Sequence, residues 1–265
     1  DGYASPHGFA MKPSHAKMLQ NADLIFWVGE DLESFLEKPL NSIAKKAEKI
    51  ELMDIKGLNK LEFRERNIFE KHDDHGHDEH KEQGHKEEKH DDHQGHAHGE
   101  HDPHIWLDPM NAKVILNEMV EHLIENDSKN ASKYKNNLKK ALKDIDKLNS
   151  DVKAELSKST ASIVFHDAYQ YFEERYDVKI LGAFTVNTDV MPGAEQLAEI
   201  REIIEHDKVN CVFSEPQFNP DIIKAVSKDM NIKTGVVDPL GATLNPGKNL
   251  YFDLIRNMAS SFKGC

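Results

Sequence analysis

From Ser162 onward the chain alternates short apolar runs with amphipathic stretches, and this rhythm restricts the possible folds more than any other feature. SIVF (162–165) leads to HDAYQYFEERY, and VKILGAF (178–184) leads to PGAEQLAEIREIIEHD (192–207). NCVF (210–213) leads to NPDIIKAVSKDM (219–230). IKTGVV (232–237) leads through a Gly-Pro loop to KNLYFDLIRNMASSFKG. Short apolar strands separated by helices predict a parallel sheet covered on both faces. In such sheets ligands bind beyond the carboxyl ends of the strands.

The first half repeats the pattern less regularly. PSHAKMLQNAD (13–23) reads as a short helix with Ser14 as N-cap. LIFWVG (24–29) reads as a buried strand, DLESFLEKPLNSIA as an amphipathic helix interrupted at Pro39, and KIELMD (49–54) as a second strand. Residues 108–127 carry apolar side chains at 114, 115, 119, 120, 123 and 124, one face of a helix. From Asn130 to Leu156 apolar residues recur at steps of three and four: Leu138, Ala141, Leu142, Ile145, Leu148, Val152, Leu156. Such a helix is about 40 Å long, more than one lobe needs. The expected organisation is α/β: two lobes, each a mainly parallel sheet flanked by helices, joined by one long backbone helix. The boundaries are 1–129 for the first lobe, 130–157 for the linking helix and 158–265 for the second lobe.

Between these helical and strand patterns lies a tract no packed core could use. Eleven of the sixteen histidines fall between Phe69 and Ile105, interleaved with Asp, Glu, Gly and Lys. Residues 72–102 hold eleven acids and three lysines. So little apolar surface cannot offset the entropy of ordering, and a solvated, mobile loop is expected. Imidazole and carboxylate are also the ligands a borderline transition metal takes. An auxiliary set of weak metal ligands is therefore expected at His72, His75, His77, His80, His85, His90, His93, His96, His98 and His101.

The tract supplies −8 of the formal charge of −13, which leaves the remainder only mildly acidic. Nothing suggests a phosphate-binding face, so nucleic acid is not an expected partner. There is no run of eighteen apolar residues and no signal peptide within the chain, which begins at Asp1. Cys211 and Cys265 form no CxxC pair, which excludes a structural zinc cluster; by composition they are either two reduced thiols or one bridge in an oxidising compartment.

The strand-end rule selects residues. His166 follows SIVF, Glu215 lies two residues past NCVF, and Asp238 follows IKTGVV. On the other lobe His7 (ASPHGF) and His104 (DPHIWLDP) lie in Pro- and Gly-flanked loops, where binding residues concentrate. His15, His122 and His206 read as solvated helix-surface residues. Three histidines plus water is also the layout of a catalytic zinc site, with Glu215 as its base, but no zinc-hydrolase motif such as HExxH is present.

Five motifs in order carry a family resemblance: SPHGFAMKPS with LQNADLIFWVGEDLESFL, DPHIWLDP, VFHDAYQYFEERY, CVFSEPQFNP and VDPLG. Together they resemble the cluster A-I solute-binding proteins of metal ABC transporters, most of all the zinc-uptake members of Gram-negative bacteria, and the resemblance spans the whole chain. It implies a metal in the cleft between lobes, His7, His104 and His166 as Zn²⁺ ligands, and Asp238 near the fourth position. It also implies a disulfide from Cys211 to Cys265, a periplasmic setting, a membrane permease as partner, a monomer, and no enzymatic activity. A zinc buffer acting mainly through the tract is the alternative. Relatives have a strand, a helix and a second strand before the first histidine, so the first sheet is expected to lack part of its core. Pro6 stands where some zinc members have Glu, which leaves Asp238 or water as the fourth ligand. Three imidazoles suit Zn²⁺ rather than Mn²⁺, whose carrier relatives offer two histidines and two carboxylates; Cu²⁺ must be excluded by availability.

Overall fold

The computed structural model describes residues 3–69, 100–156, 160–188, 190–207, 209–228 and 230–265. Nine of the ten auxiliary histidines, His72 to His98, lie outside the described residues.

Chain order in the first half is α1 (Pro13–Asn21), β1 (Leu24–Trp27), α2 (Glu30–Ser42), β2 (Glu48–Glu51) and α3 (Pro109–Asn126). β1 and β2 form a two-stranded parallel sheet, with Leu24 opposite Glu48 and Trp27 opposite Glu51. Two sequence expectations need correction. The cap of α1 is Lys12 rather than Ser14, because Pro13, with its preset φ and no N–H, occupies the first helical turn. α2 runs through Pro39, and its irregular residue is Glu33 instead (φ −119°, ψ 46°). The Glu33 carboxylate accepts the Val28 amide at 2.6 Å, tying the distortion to the end of β1.

α4 (Ala131–Glu155) is the long helix. Its stripe buries Ile145, Leu148 and Val152 against α3 and against α8 (Leu250–Gly264). The other elements of the second half are β3 (Ser162–His166), α5 (Gln170–Tyr176), β4 (Ile180–Thr185), α6 (Ala194–His206), β5 (Cys211–Ser214), α7 (Asp221–Ser227) and β6 (Lys233–Val236). Their sheet is wholly parallel, in the order β4-β3-β5-β6.

Alternation along these strands feeds two cores. Ile163, Phe165, Leu181, Phe184 and Val212 pack with Ile200 and Ile203 of α6 and Ile223 of α7. Val164, Ala183 and Phe213 face the other way, toward Phe172 of α5 and Met258 and Phe262 of α8. That second core continues through Leu148 and Val152 to Ile105, Leu107 and Met53 of the first half. At roughly 25 cal/mol per Å² of apolar surface, this continuous burial is the main force holding the two halves in one arrangement.

The disulfide joins Cys211, at the start of β5, to Cys265 after α8, with Cα atoms 5.7 Å apart. It staples the C-terminal helix to the sheet at the end of the strand remote from His166. β4 would be an exposed edge, but residues 67–69 cover it. The Ala183 amide donates to Asn67 O at 2.8 Å and the Phe69 amide to Leu181 O at 2.9 Å. Gly182 permits the approach, since a Cβ there would lie 2.5 Å from Asn67 O.

Candidate metal centre

Three loops bring three imidazoles to one point. His166 is the last residue of β3, where the sheet's carboxyl ends open. His104 precedes a single 3-10 turn, Ile105–Leu107, that leads into α3. His7 lies in the turn before α1, its amide donating to Ser5 Oγ at 3.3 Å. His104 and His166 are buried, and His7 is half-buried.

The His104 Nε2 atom lies 3.3 Å from His7 Nε2 and 3.4 Å from His166 Nε2. Ligands about 2.0–2.1 Å from a tetrahedral zinc stand roughly 3.3 Å apart, so the spacing is that of a zinc site. The opposite ring edges settle the tautomers. His104 Nδ1 lies 2.7 Å from Asp102 Oδ1, and His166 Nδ1 lies 2.6 Å from Glu215 Oε1. Each carboxylate accepts a hydrogen bond from the Nδ1–H, which leaves the Nε2 lone pairs facing one another across the gap. Neutral lone pairs at that distance repel, and a cation between them removes the repulsion.

The orienting carboxylates are themselves held. Asp102 is fully buried; it also accepts the His104 amide at 2.9 Å and Gln170 Nε2 at 3.2 Å. Glu215 also accepts the His166 amide at 3.3 Å. Its Oε2 is buried without a hydrogen bond of normal geometry, as is the Tyr169 hydroxyl that faces it. Burial first, and then the Glu215 charge, push the Tyr169 pKa well above its ordinary value. Trp106 Nε1 donates to Pro239 O at 2.9 Å, and the Tyr251 hydroxyl to Trp106 O at 3.0 Å. These bonds tie the His104 loop to the second lobe. The void among Pro6, the histidines, Phe218, Pro239 and Leu240 measures about 10 Å³, room for one water-sized particle.

Asp238 is not brought into this group of three. Its Oδ1 accepts the amides of Leu240 and Gly241 and Gln217 Nε2, each at 3.0 Å, and Oδ2 accepts the Ala242 amide. In this arrangement the carboxylate shapes the 238–242 turn. Asp102 and His101 also depart from the loop expected at 72–102. The Phe63 amide donates to Glu100 O at 3.2 Å, His101 bridges Glu62, and the Asp102 amide donates to Leu61 O at 2.9 Å. This backbone pairing ends the tract at residue 100.

Of the histidines read as solvated, only His206 is exposed. His15 is half-buried and its Nδ1 accepts the Lys12 amide at 3.1 Å, closing the first turn of α1. His122 is also half-buried, its ring held between two glutamates. A lone helix histidine gives no sign of this in sequence, because one glutamate comes from β2, 74 residues away.

A family model described as "Zinc-uptake complex component A periplasmic" matches residues 1–265. The chain is 45% identical over 277 residues to the high-affinity zinc uptake system protein ZnuA of Brucella abortus (strain 2308), covering 100% of this chain and 83% of that protein. A crystal structure of ZnuA superposes with TM-score 0.77 at 22% identity, covering 100% of this chain and 88% of the other. A Mn-bound periplasmic metal binding protein from candidatus liberibacter asiaticus superposes with TM-score 0.74 at 20% identity, covering 98% and 86%. At these identities the structural likeness is one of fold.

Proposed function

Because the chain belongs to the zinc-uptake complex component A family, we propose that it is a high-affinity Zn²⁺ receptor that captures the ion outside the cytoplasmic membrane and delivers it to the permease of an ABC importer. The observation that carries this reading is the meeting of three imidazole Nε2 atoms at 3.3 and 3.4 Å, two of them with their Nδ1 protons held by buried carboxylates. The ion is cargo. His7 and His104 belong to the first lobe (1–129), His166 to the second (158–265), and the helix at 130–157 joins them. An ion bonded to both lobes favours the closed arrangement, and a docking partner can sense that arrangement. Release needs only enough opening to withdraw His166 from the other two ligands.

Solvent takes the fourth position, since Asp238 is committed to its turn. Glu215 is poorly placed as the base of a hydrolase, because its Oε1 is engaged by His166 Nδ1. The protein is read as a monomeric carrier without catalytic activity. The test is His166→Ala, assayed by zinc titration against a competing chelator in the full chain. The expected loss exceeds about a hundredfold, the upper range for losing a mere outer-sphere partner. Unchanged tight one-to-one binding would overturn the assignment.

A further inference from the structure

We propose that Glu48, His122 and Glu125 form a second, solvent-facing Zn²⁺ site on the first lobe, separate from the three-histidine centre. Glu118, His122 and Glu125 follow one another on α3 at steps of four and three, which places them on one helix face. Glu48 opens β2, and parallel pairing with β1 fixes its position beside that face. Ligand atoms of Glu48, His122 and Glu125 all lie within 4.8 Å of one another, the only such grouping besides the three histidines among the described residues.

The His122 ring is committed to carboxylates on both edges. Nδ1 lies 2.7 Å from Glu48 Oε1, and Nε2 lies 3.3 Å from Glu118 Oε1. The other Glu48 oxygen accepts Asn126 Nδ2 at 2.9 Å, so the carboxylate is oriented and not merely nearby. Phe26 packs edge-on against the same ring, with centroids 6.1 Å apart, and limits its rotation. The cluster therefore has more than acidic charge: it has an imidazole held in place and a carboxylate with a second bond of its own.

Imidazole with two or three carboxylates is a donor set for zinc rather than for magnesium or calcium, which take oxygen alone. The site opens on a surface cleft of about 720 Å³, which gives an ion a route in. Side-chain exposures of 21% for His122 and 40% for Glu48 make it weaker and faster-exchanging than the buried centre. A zinc ion binds by replacing the proton shared between His122 and Glu48 and drawing in Glu125. On a receptor surface, such a site would hold zinc loosely beside the tight centre.

The experiment compares the full chain with His122→Ala and Glu125→Gln by equilibrium dialysis against Zn²⁺, with anomalous diffraction from zinc-soaked crystals of the unaltered protein. The proposal expects the stoichiometry to fall by one in each variant, while tight one-to-one binding persists. It also expects an anomalous peak bonded to Glu48, His122 and Glu125. Should His122→Ala fold poorly, Glu125→Gln, an exposed and isosteric change, decides alone. Equal stoichiometry in variants and parent overturns the proposal, with or without a crystal peak, since a peak alone would mean binding at crystal concentration only. Because His7, His104 and His166 are untouched, failure here leaves the reading of the buried centre standing.

Discussion

Glu215→Gln separates metal binding from folding, because the structure assigns the two effects opposite signs. Glu215 Oε1 holds His166 Nδ1 at 2.6 Å, while Oε2 is buried with no hydrogen bond of normal geometry. In the zinc-loaded protein the negative charge raises the basicity of His166 and stabilises a ring that has given electron density to the metal. Loss of such an outer-sphere carboxylate costs 10–100-fold in metal affinity. At about 1.4 kcal/mol per tenfold, that is roughly 1.4–2.7 kcal/mol.

Without metal the balance reverses. Glutamine keeps an oxygen for the Nδ1–H and replaces the buried, charged Oε2, which has no hydrogen bond of normal geometry, with a neutral amide facing the Tyr169 hydroxyl. A buried unpaired polar atom costs about 1–3 kcal/mol, so the metal-free variant should be as stable as the parent or more so. Competitive chelator titration reads the first quantity, and denaturant unfolding in EDTA reads the second. Zinc affinity within about threefold of the parent would refute the orienting role. A fall in metal-free stability alongside the affinity loss would reduce Glu215 to a packing residue.

Three further outcomes follow. Deleting residues 72–98 should lower the total zinc bound but preserve one tight equivalent. The flanks of the tract are independently anchored, at Phe69 on β4 and at Glu100–Asp102 against residues 61–63; loss of the tight site would show that the tract dominates. Thiol titration of the unreduced, unfolded protein should find no free thiol. Reduction should cost up to about 4 kcal/mol for a bridge spanning 54 residues; unchanged stability would refute a stabilising role. Burial lowers the pKa of His122, but its hydrogen bonds to Glu48 and Glu118 outweigh that and raise it above 6.5. A raised folded pKa gives stability that is fully present below about 6.5 and lost as pH rises through the folded value. His122→Gln in EDTA should therefore destabilise most below about pH 6 and progressively less in alkali. A gap that is flat or widens with pH would contradict this.

The second lobe was legible because β3, β4 and β5 are buried on both faces, so SIVF, NCVF and ILGAF stand out as apolar runs. The carboxyl-end rule pointed to His166 and loop chemistry to His7 and His104, and the structure brings these three side chains together. For Asp238 the same rule leaves two roles open, because a strand-end carboxylate can serve a metal or three turn amides, and the structure shows the amide bonds. Asp102 was read as tract because its neighbours at 91, 92 and 100 are acidic; its burial comes from backbone pairing with residues 61–63. Pro39 was read as a break because sequence shows its missing N–H but not the helix packing that tolerates it. The His122 cluster depends on β2 meeting α3 across more than seventy residues, a contact no local pattern encodes.

Charge favours a divalent ion at the proposed centre. Asp102 and Glu215 are buried, 2.7 and 2.6 Å from the Nδ1 atoms of His104 and His166. The Arg64 guanidinium, whose charge also acts on Asp102, makes two bonds to Glu173 and a third to Asp167. In the proposed centre a divalent ion would offset both carboxylate charges while bonding to imidazole nitrogens and one solvent molecule. A manganese protein of the same fold shows that the architecture does not choose the metal. In the proposed centre the choice would fall to three imidazole nitrogens spaced for a tetrahedron and to carboxylates kept one bond back, where they strengthen the imidazoles without becoming the oxygen ligands that harder ions require.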